Sequence, residues 1–489
     1  MRFDVAILGS GFAGSLTALL LERIGRSCVV IDKAQHPRFA IGESSTPTGN
    51  LILKDLAEKY GLPQLAPLTT YSTWRNAYPR LTVGKKRGFS YFQHLPNQSF
   101  QPTPNHTHEL LVTASAHEDL CDTHWLREEV DHFLVDEVRE AGIPVFEKAQ
   151  ITSLAAGTPW RLTLNHQHLR KELQADFLID ATGRAGFLPQ TLQLPDHTSS
   201  LHTHSRALYT HFENVPLWQE YLESANANLS EYPFRSDDAA LHQVLDRAWM
   251  WQLRFHTGRL SAGLVLDSRH HPATNALSPA EEWARWLNRY PSLQHQFEAA
   301  TPAAKPGAIL RTGRLQRLWG QSADANWALL PHTAGFIDPL HSTGIAHSLS
   351  GIEHLISILE GHWQKATLPD ELALYDQRLQ QEFKLVDLLV AGSYAGMGAF
   401  ELLVPYTMVY FAGAIMYEET RQAGLTPEGF LCAGHRAFAE VVQQAYHLSQ
   451  TYEGPAFTDE IERLIAPFNN AGLFNPTHPN MYYYTAADL

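Results

Sequence analysis

Apolar residues gather first in FDVAIL, residues 3 to 8, and the run stops at Gly9-Ser10-Gly11-Phe12-Ala13-Gly14. Beyond the glycines, Leu16, Leu19, Leu20 and Ile24 recur at helical spacing, and CVVID, residues 28 to 32, reads as a second buried strand ending in an acid. The order strand, glycine turn, helix, strand predicts a βαβ unit. Its glycines permit a tight turn and close backbone approach, its helix N-terminus receives a pyrophosphate, and Asp32 can accept a ribose hydroxyl. A helix is predicted over residues 124 to 141, where Leu126, Val130, Phe133, Leu134 and Val138 keep helical spacing. LQADFLIDATG, residues 173 to 183, is an apolar strand closing on a small-residue turn before Arg184. The pattern then loosens through about 195 to 310, with strand-like pieces at 247 to 256 and 260 to 266. WALLP, residues 327 to 331, is a third apolar strand, and from about 350 the chain reads mostly helical before an irregular tail, MYYYTAADL. No internal repeat or low-complexity linker is visible, so any domains are interleaved.

One stretch resists this reading. VGKKRGFSYFQH, residues 83 to 94, alternates like a half-buried strand in its second half, yet Lys85, Lys86 and Arg87 stand at its head. Lysines are rarely buried unless something requires them, and by itself the stretch is a solvated strand end.

Composition narrows the classes. The 489 residues are 44% hydrophobic and 18% charged, which is ordinary globular content. A formal charge of −14 without any basic run opposes phosphate backbones and anionic membrane surfaces, so neither nucleic acid nor membrane is expected as a partner. Cys28, Cys121 and Cys432 lie far apart and suit a reducing, cytoplasmic compartment. Asp4 interrupts the N-terminal apolar run as a signal peptide, and residues 402 to 416, short and carrying Pro405, predict a buried helix rather than a span. The pairs His106/His108 and His202/His204 lack partners at metal spacing, and no metal site is expected.

Strand-to-turn junctions at 9, 181 and 333 are what one fold wrapped around an extended dinucleotide requires; NAD alone needs only the first. With the glycine motif come HPRFxxGE (His36 to Glu43), GESSTP (Gly42 to Pro47), KxGFS (Lys86 to Ser90), LIDATGRAG and LPxxxGFIDPL (Leu330 to Leu340). This set resembles the flavin-dependent halogenases, most closely the stand-alone phenol-type members. The resemblance covers most of the chain and is weakest in the middle segment and the tail. It implies an α/β, FAD-binding Rossmann-like fold of the glutathione reductase/hydroxylase type, with an interleaved substrate-side β-sheet and a helical C-terminal region. Residues 1–375 would be the FAD-binding core, with substrate-side segments at about 75–120 and 195–310, and 376–489 a helical region covering the substrate pocket.

The resemblance also assigns residues. FAD, supplied reduced by a separate flavin reductase, would be held by Gly9, Gly11, Phe12, Ala13, Gly14, Asp32 and Lys33 in the first unit. Gly42, Ser44, Ser45, Arg127 and Asp180 would follow, and Asp338, Pro339, Gly344 and Ile345 would close the site. Arg127 can fork onto a phosphate or a flavin carbonyl, or else pair with Glu128 or Asp131. Asp180 can face the cofactor, or else bond its own turn. Phe336, Pro339, Ser342 and Gly344 match F-x-x-P-x-x-S-x-G, so the amides of Thr343 and Gly344 would hold chloride or bromide; plain helix capping also explains the composition. In the family, oxidation of halide by reduced flavin and oxygen gives hypohalous acid, which a buried lysine holds by a hydrogen bond or as a chloramine. That lysine falls on Lys86, with Lys85 pointing to the opposite side of the strand. Burial would depress its pKa and leave more free amine.

Two positions depart from the family pattern. W-x-W-x-I-P becomes Trp249-Met-Trp251-Gln-Leu253-Arg254, which keeps both substrate-side tryptophans but puts a charge and an N–H where proline stood. His341 replaces a glutamate or an aromatic residue and could serve as general base or as a packed ring. Leu330-Pro331-His332-Thr333 stands where single-component hydroxylases carry Gly-Asp, and no second G-x-G-x-x-G is present for a nicotinamide cofactor. The expected activity is halogenation of an electron-rich, phenolic small molecule, free or carrier-tethered. The alternatives are a monooxygenase or oxidase without halide chemistry, and a non-catalytic flavin-binding protein. Aromatic residues between 391 and 420, among them Tyr394, Phe400, Tyr406, Tyr410 and Phe411, would wall the substrate pocket or pack a core helix.

Overall fold

The computed structural model describes residues 1–489 apart from 116, 275, 452, 453, 455 and 484–489, so most of the predicted C-terminal tail lies outside the described residues. The βαβ unit forms as Arg2–Leu8, the helix Phe12–Arg23 and Cys28–Ile31, and the two strands pair in parallel. Arg2–Leu8 also pairs in parallel with Leu169–Asp180, which in turn pairs with Trp327–Leu329. The four apolar runs therefore stand side by side, and the turns that follow three of them, at 9, 181 and 333, open at one edge of the sheet. Near-continuous apolar strands are what a sheet covered on both faces requires, and Val5 to Leu8 and Val29 to Ile31 are all buried.

A second, nine-stranded sheet takes strands from distant parts of the chain. Ser205–Glu213, Leu260–Asp267, Ala248–Arg254, Ala240–Leu245, Gly88–Gln93 and Glu109–Thr113 lie in that order, with Met481–Tyr482 at the far edge. The loose middle segment of the sequence is thus mostly sheet. Gly88–Gln93 does not alternate between core and solvent as its pattern predicts: Phe89 and Tyr91 join the main core, while Phe92 joins a separate apolar cluster with Phe100 and Trp218. The sheet is covered on both faces, which a single strand's pattern cannot reveal.

The charged head of this stretch is a separate strand. Val83–Lys86 pairs antiparallel with Asp122–Trp125, and Lys86 stands opposite Asp122. Lys85 reaches outward to Glu118 at 3.0 Å and Asp238 at 3.8 Å, whereas Lys86 is fully buried. The C-terminal helices Thr343–His362, Leu368–Gly396 and Phe400–Gln422 pack over the junction of the two sheets. Phe400–Gln422 is long and apolar enough to cross a membrane, but 83% of that stretch is buried inside the protein.

Candidate active site

A cleft of about 940 Å³ runs along the turn edge of the parallel sheet. Gly9, Gly11, Asp32 and Arg38 line one end, and Trp249, Trp251, Ser342 and Gly344 line the other. The glycines are needed where backbone meets backbone. A Cβ at Gly9, whose φ is +102°, would lie 2.6 Å from the Ala181 carbonyl oxygen, and one at Gly14 would lie 2.0 Å from that of Gly9. Phe12, Ala13, Lys33, Gly42, Ser44 and Ile345 also line the cleft. Gly14 and Ser45 do not; they support it from behind.

Asp32 faces the cleft with its carboxylate fully engaged. It accepts the Ser10 amide and hydroxyl and the Ala34 amide, each at 2.8 Å, and both arms of Arg38 at 2.9 Å. Burial alone would raise its pKa, but the Arg38 charge and these donors hold the carboxyl below its ordinary value. Arg127 makes the Asp131 pairing at the edge of the cleft. It forks onto Asp131 at 2.8 and 3.0 Å, lies 4.6 Å above the Phe12 ring, donates to the Gly42 carbonyl and lines the cleft. Asp180 turns away from the cleft and accepts from the Thr182 amide and hydroxyl and the Leu188 amide, which makes it a turn-holding residue. Asp338 is also enclosed. It accepts Ser205 Oγ at 2.5 Å and Tyr394 OH at 3.0 Å, and burial pushes its carboxyl up to about 7.

Several cleft residues were not singled out from sequence. Arg38, Arg184 and Arg317 add three guanidinium groups to the wall, and Glu43 lies at the cleft with His211 bonded to it at 2.8 Å. Arg38 and Glu43 sit inside the HPRFxxGE motif, so the signal was present as a motif without a role. His211 and Arg317 come from other strands and left no local signal.

At the far end, the 20-residue helix Thr343–His362 begins after Ser342, whose φ is +53° and whose side chain does not cap the helix. Its first amides therefore lack the usual serine partner. A Cβ added at Gly344 would meet open space. A second cavity of about 20 Å³ lies against Thr343, Gly344, His332 and His347.

Beyond Ser44 the interior closes. Lys86 Nζ donates to the Ser45 carbonyl at 2.5 Å and sits 4.1 Å above the Phe89 ring. Tyr410 and Phe411 stand edge-on to Phe89, and His341 stacks on Tyr410 at 4.4 Å. His341 Nδ1 has no hydrogen-bond partner, and burial pushes the imidazole down to about 3. Burial likewise lowers the Lys86 pKa, with Asp122 and Glu418 opposing. The structure thus brings Lys86 and His341 to one aromatic compartment behind the cleft wall.

Trp249 and Trp251 both line the cleft; Trp249 bonds Tyr394 OH and Trp251 bonds Ser261 Oγ, each at 3.1 Å. Arg254 does not reach it. Its guanidinium is spent on the carbonyls of Val215, Pro216 and Gly258, so the charge that replaces proline lies outside the wall.

A parallel sheet with three turns at one edge, a long cleft across them and a second sheet beneath define a nucleotide-binding flavoprotein. The family model described as tryptophan halogenase matches residues 123–396, and the one described as NAD(P)-binding Rossmann-like domain matches residues 7–81. The chain belongs to the tryptophan halogenase family and is an FAD-dependent halogenase. It is 29% identical to the monodechloroaminopyrrolnitrin halogenase PrnC of Pseudomonas fluorescens, over 85% of this chain and 72% of that one. It is 27% identical to the tetracycline 7-halogenase of Kitasatospora aureofaciens, over 78% and 67%. In fold it is similar to halogenase PltM solved with phloroglucinol and FAD, at a TM-score of 0.85, 23% identity and coverage of 96% of this chain and 97% of that one. The cleft's length, its glycine contacts and its arginines fit FAD.

Proposed function

We propose that this enzyme halogenates an electron-rich, phenolic small molecule with a hypohalous acid handled by Lys86. The observation that carries the reading is a lysine with no solvent exposure, one residue behind the cleft wall and facing aromatic rings. Burial of an ammonium is costly unless the group is used or paired, and the nearest acceptor at Ser45 satisfies only one of its three N–H groups. Bound reduced FAD supplies, with oxygen, the two electrons' worth of oxidation that turns halide into hypohalous acid.

The chain's own residues do the rest. Gly9, Gly11 and Asp32 hold the adenosine end, Arg38 and Arg127 offer cations to the pyrophosphate, and Gly344 and Ile345 lie where the ring system would end. The amides of Thr343 and Gly344, at a helix N-terminus beside a cavity of anion size, favour halide binding there. Lys86 donates a hydrogen bond to the oxidant or carries the halogen as a haloamine, while Phe89, Tyr410 and Phe411 exclude water that would consume it. The substrate class draws support from PrnC and the tetracycline 7-halogenase, and from PltM, solved with the phenol phloroglucinol. Reduced flavin would come from a separate reductase. The monooxygenase alternative rests on the departures at Arg254 and His341; the Arg254 guanidinium is taken up by carbonyls away from the wall, and His341 is a buried ring stacked on Tyr410.

The test is turnover of a phenol panel with a flavin reductase, FAD, oxygen and either chloride or bromide, read by mass spectrometry. A halogen isotope pattern that disappears in Lys86→Met, with FAD affinity retained, is expected. Oxidised products lacking halogen under both halides would overturn the reading.

A further inference from the structure

Lys86 is not alone in its compartment. Asp122 stands opposite it in the antiparallel pair Val83–Lys86 and Asp122–Trp125, and residues so opposed put their side chains on one face with Cβ atoms about 5 Å apart. Asp122 is fully buried. Asn50 Nδ2 donates to its Oδ1 at 2.7 Å, Ser45 Oγ in turn donates to Asn50 Oδ1 at 2.8 Å, and Oδ2 has no hydrogen-bond partner. An orphaned buried carboxylate oxygen is costly unless it carries a proton or faces a cation.

Every other titratable group around Lys86 is fixed in one state near neutral pH. His124, on the same strand as Asp122, is pushed by burial down to about 3, and His242, on Ala240–Leu245, down to about 4, so both are neutral. Burial raises the Tyr410 and Tyr91 phenols, and it raises the Cys121 thiol to about 12. Lys85 points away to Glu118 and Asp238. That leaves two carboxyls, Asp122 and Glu418, and Glu418 Oε1 already accepts the Thr48 hydroxyl at 2.7 Å.

We propose that Asp122 is the positioning residue of Lys86: its carboxyl, across the strand pair and on the same face, sets the balance between ammonium and free amine at Nζ, an ionised Asp122 favouring the ammonium. The chain Ser45–Asn50–Asp122 holds the carboxyl in place, and the same Ser45 backbone holds the amine. A haloamine requires the free amine, so this role rests on Lys86 being the oxidant-handling group.

The test reads the lysine nitrogen itself. In FAD-loaded protein carrying 15N-lysine, the Lys86 Nζ resonance is assigned by its loss in Lys86→Met and followed against pH. Asp122→Asn is expected to lower the Lys86 midpoint by about one pH unit or more, because it removes an opposite charge beside the ammonium. The acid limb of the halogenation rate, measured with chemically reduced FAD, is expected to move by the same amount, and Glu418→Gln to move both by less. An unmoved midpoint in Asp122→Asn, or a larger shift in Glu418→Gln, overturns the proposal. Should Asp122→Asn fail to hold FAD, Asn50→Ala carries the test: it unpins the carboxyl and is expected to lower the midpoint by a smaller step, and no fall overturns the proposal. Halogenation that survives Lys86→Met would instead sink the role of Lys86 and leave the resonance shift as evidence on the pair alone.

Discussion

The nucleotide cleft and the Lys86 compartment share the segment from Gly42 to Ser45 and are built by opposite means. The cleft is walled by backbone turns and arginine forks, and its acid, Asp32, is held ionised by Arg38. The compartment is dry: Lys86, Asp122, His341 and Tyr410 are all buried, and burial drives each toward its neutral form. One region presents charge to a ligand, and the other suppresses charge, as the proposed meeting of a neutral amine and an electrophile requires. Four perturbations, from the largest expected effect to the smallest, would break or sharpen that contrast.

Acid should attack the dry side first. In the Lys86 compartment burial holds His124, His242 and His341 at about 3, 4 and 3, and in the neighbouring apolar cluster it holds His94 at about 4, against an ordinary 6.5 in the unfolded chain. Their pKa values are depressed on folding, so their contribution is present above pH 6.5 and is lost as pH falls toward 4. Asp122 and Asp338 run the other way. Their carboxyls are raised from 3.8, which favours the folded state increasingly as pH falls from about 7. Four groups against two leave about two protons taken up on unfolding between pH 6 and 4, a loss on the order of 5 kcal/mol. Denaturant midpoints measured from pH 7.5 to 4.5 should fall steeply, and a flat profile would mean that the compartment is wet.

The cleft should instead yield to sterics. Gly14→Val drives a branched side chain into the Gly9 carbonyl, only 2.0 Å from its Cβ. Overpacking of this kind costs about 3 kcal/mol, and spent on the cofactor turn it weakens FAD by about 100-fold. Flavin fluorescence quenching measures it, and unchanged affinity would place the cofactor elsewhere.

The same contrast explains what the sequence made legible. The glycine turn and the apolar strands are local patterns with one meaning each, and they form as read. KRGFS was legible only as a resemblance, because what buries Lys86 comes from residues 45, 122, 410 and 418, brought together by two sheets and a helix. Asp122 carries no local signal: HEDLCDTHW leads into the helix predicted from residue 124, and nothing in it marks a buried acid. Asp180 shows the reverse. Its place after an apolar strand suggested a cofactor contact, but its carboxylate is used up on Thr182 and Leu188.

Arg254 gives a smaller test, on the wall between the regions. Its guanidinium joins the carbonyls of Val215, Pro216 and Gly258 at 2.9 to 3.0 Å. Arg254→Ala should cost about 1–2 kcal/mol of stability through these lost bonds and leave the rate of halogenation at the wild-type level. A large loss of rate at retained stability would show that the charge acts through the wall after all.

His341 should matter least, although its position beside the Ser342–Gly344 turn and the aromatic rings suggests a base. A general base works best with a pKa near the operating pH, and burial holds this imidazole at about 3, too weak to draw a phenolic proton. Its Nδ1 has no partner, its Nε2 is 3.4 Å from Ser393 Oγ, and its face is given to Tyr410. It is bonded as a packed ring is bonded. His341→Phe keeps the stack, removes an unsatisfied nitrogen and should change stability by less than about 1 kcal/mol. The rate should change by no more than about threefold, well short of the 100-fold or greater contribution of a working base, and the shape of the pH profile should stay the same. Loss of the alkaline plateau in this variant alone, with the Lys86 resonance unmoved, would return His341 to catalysis and make the compartment a two-residue acid–base site.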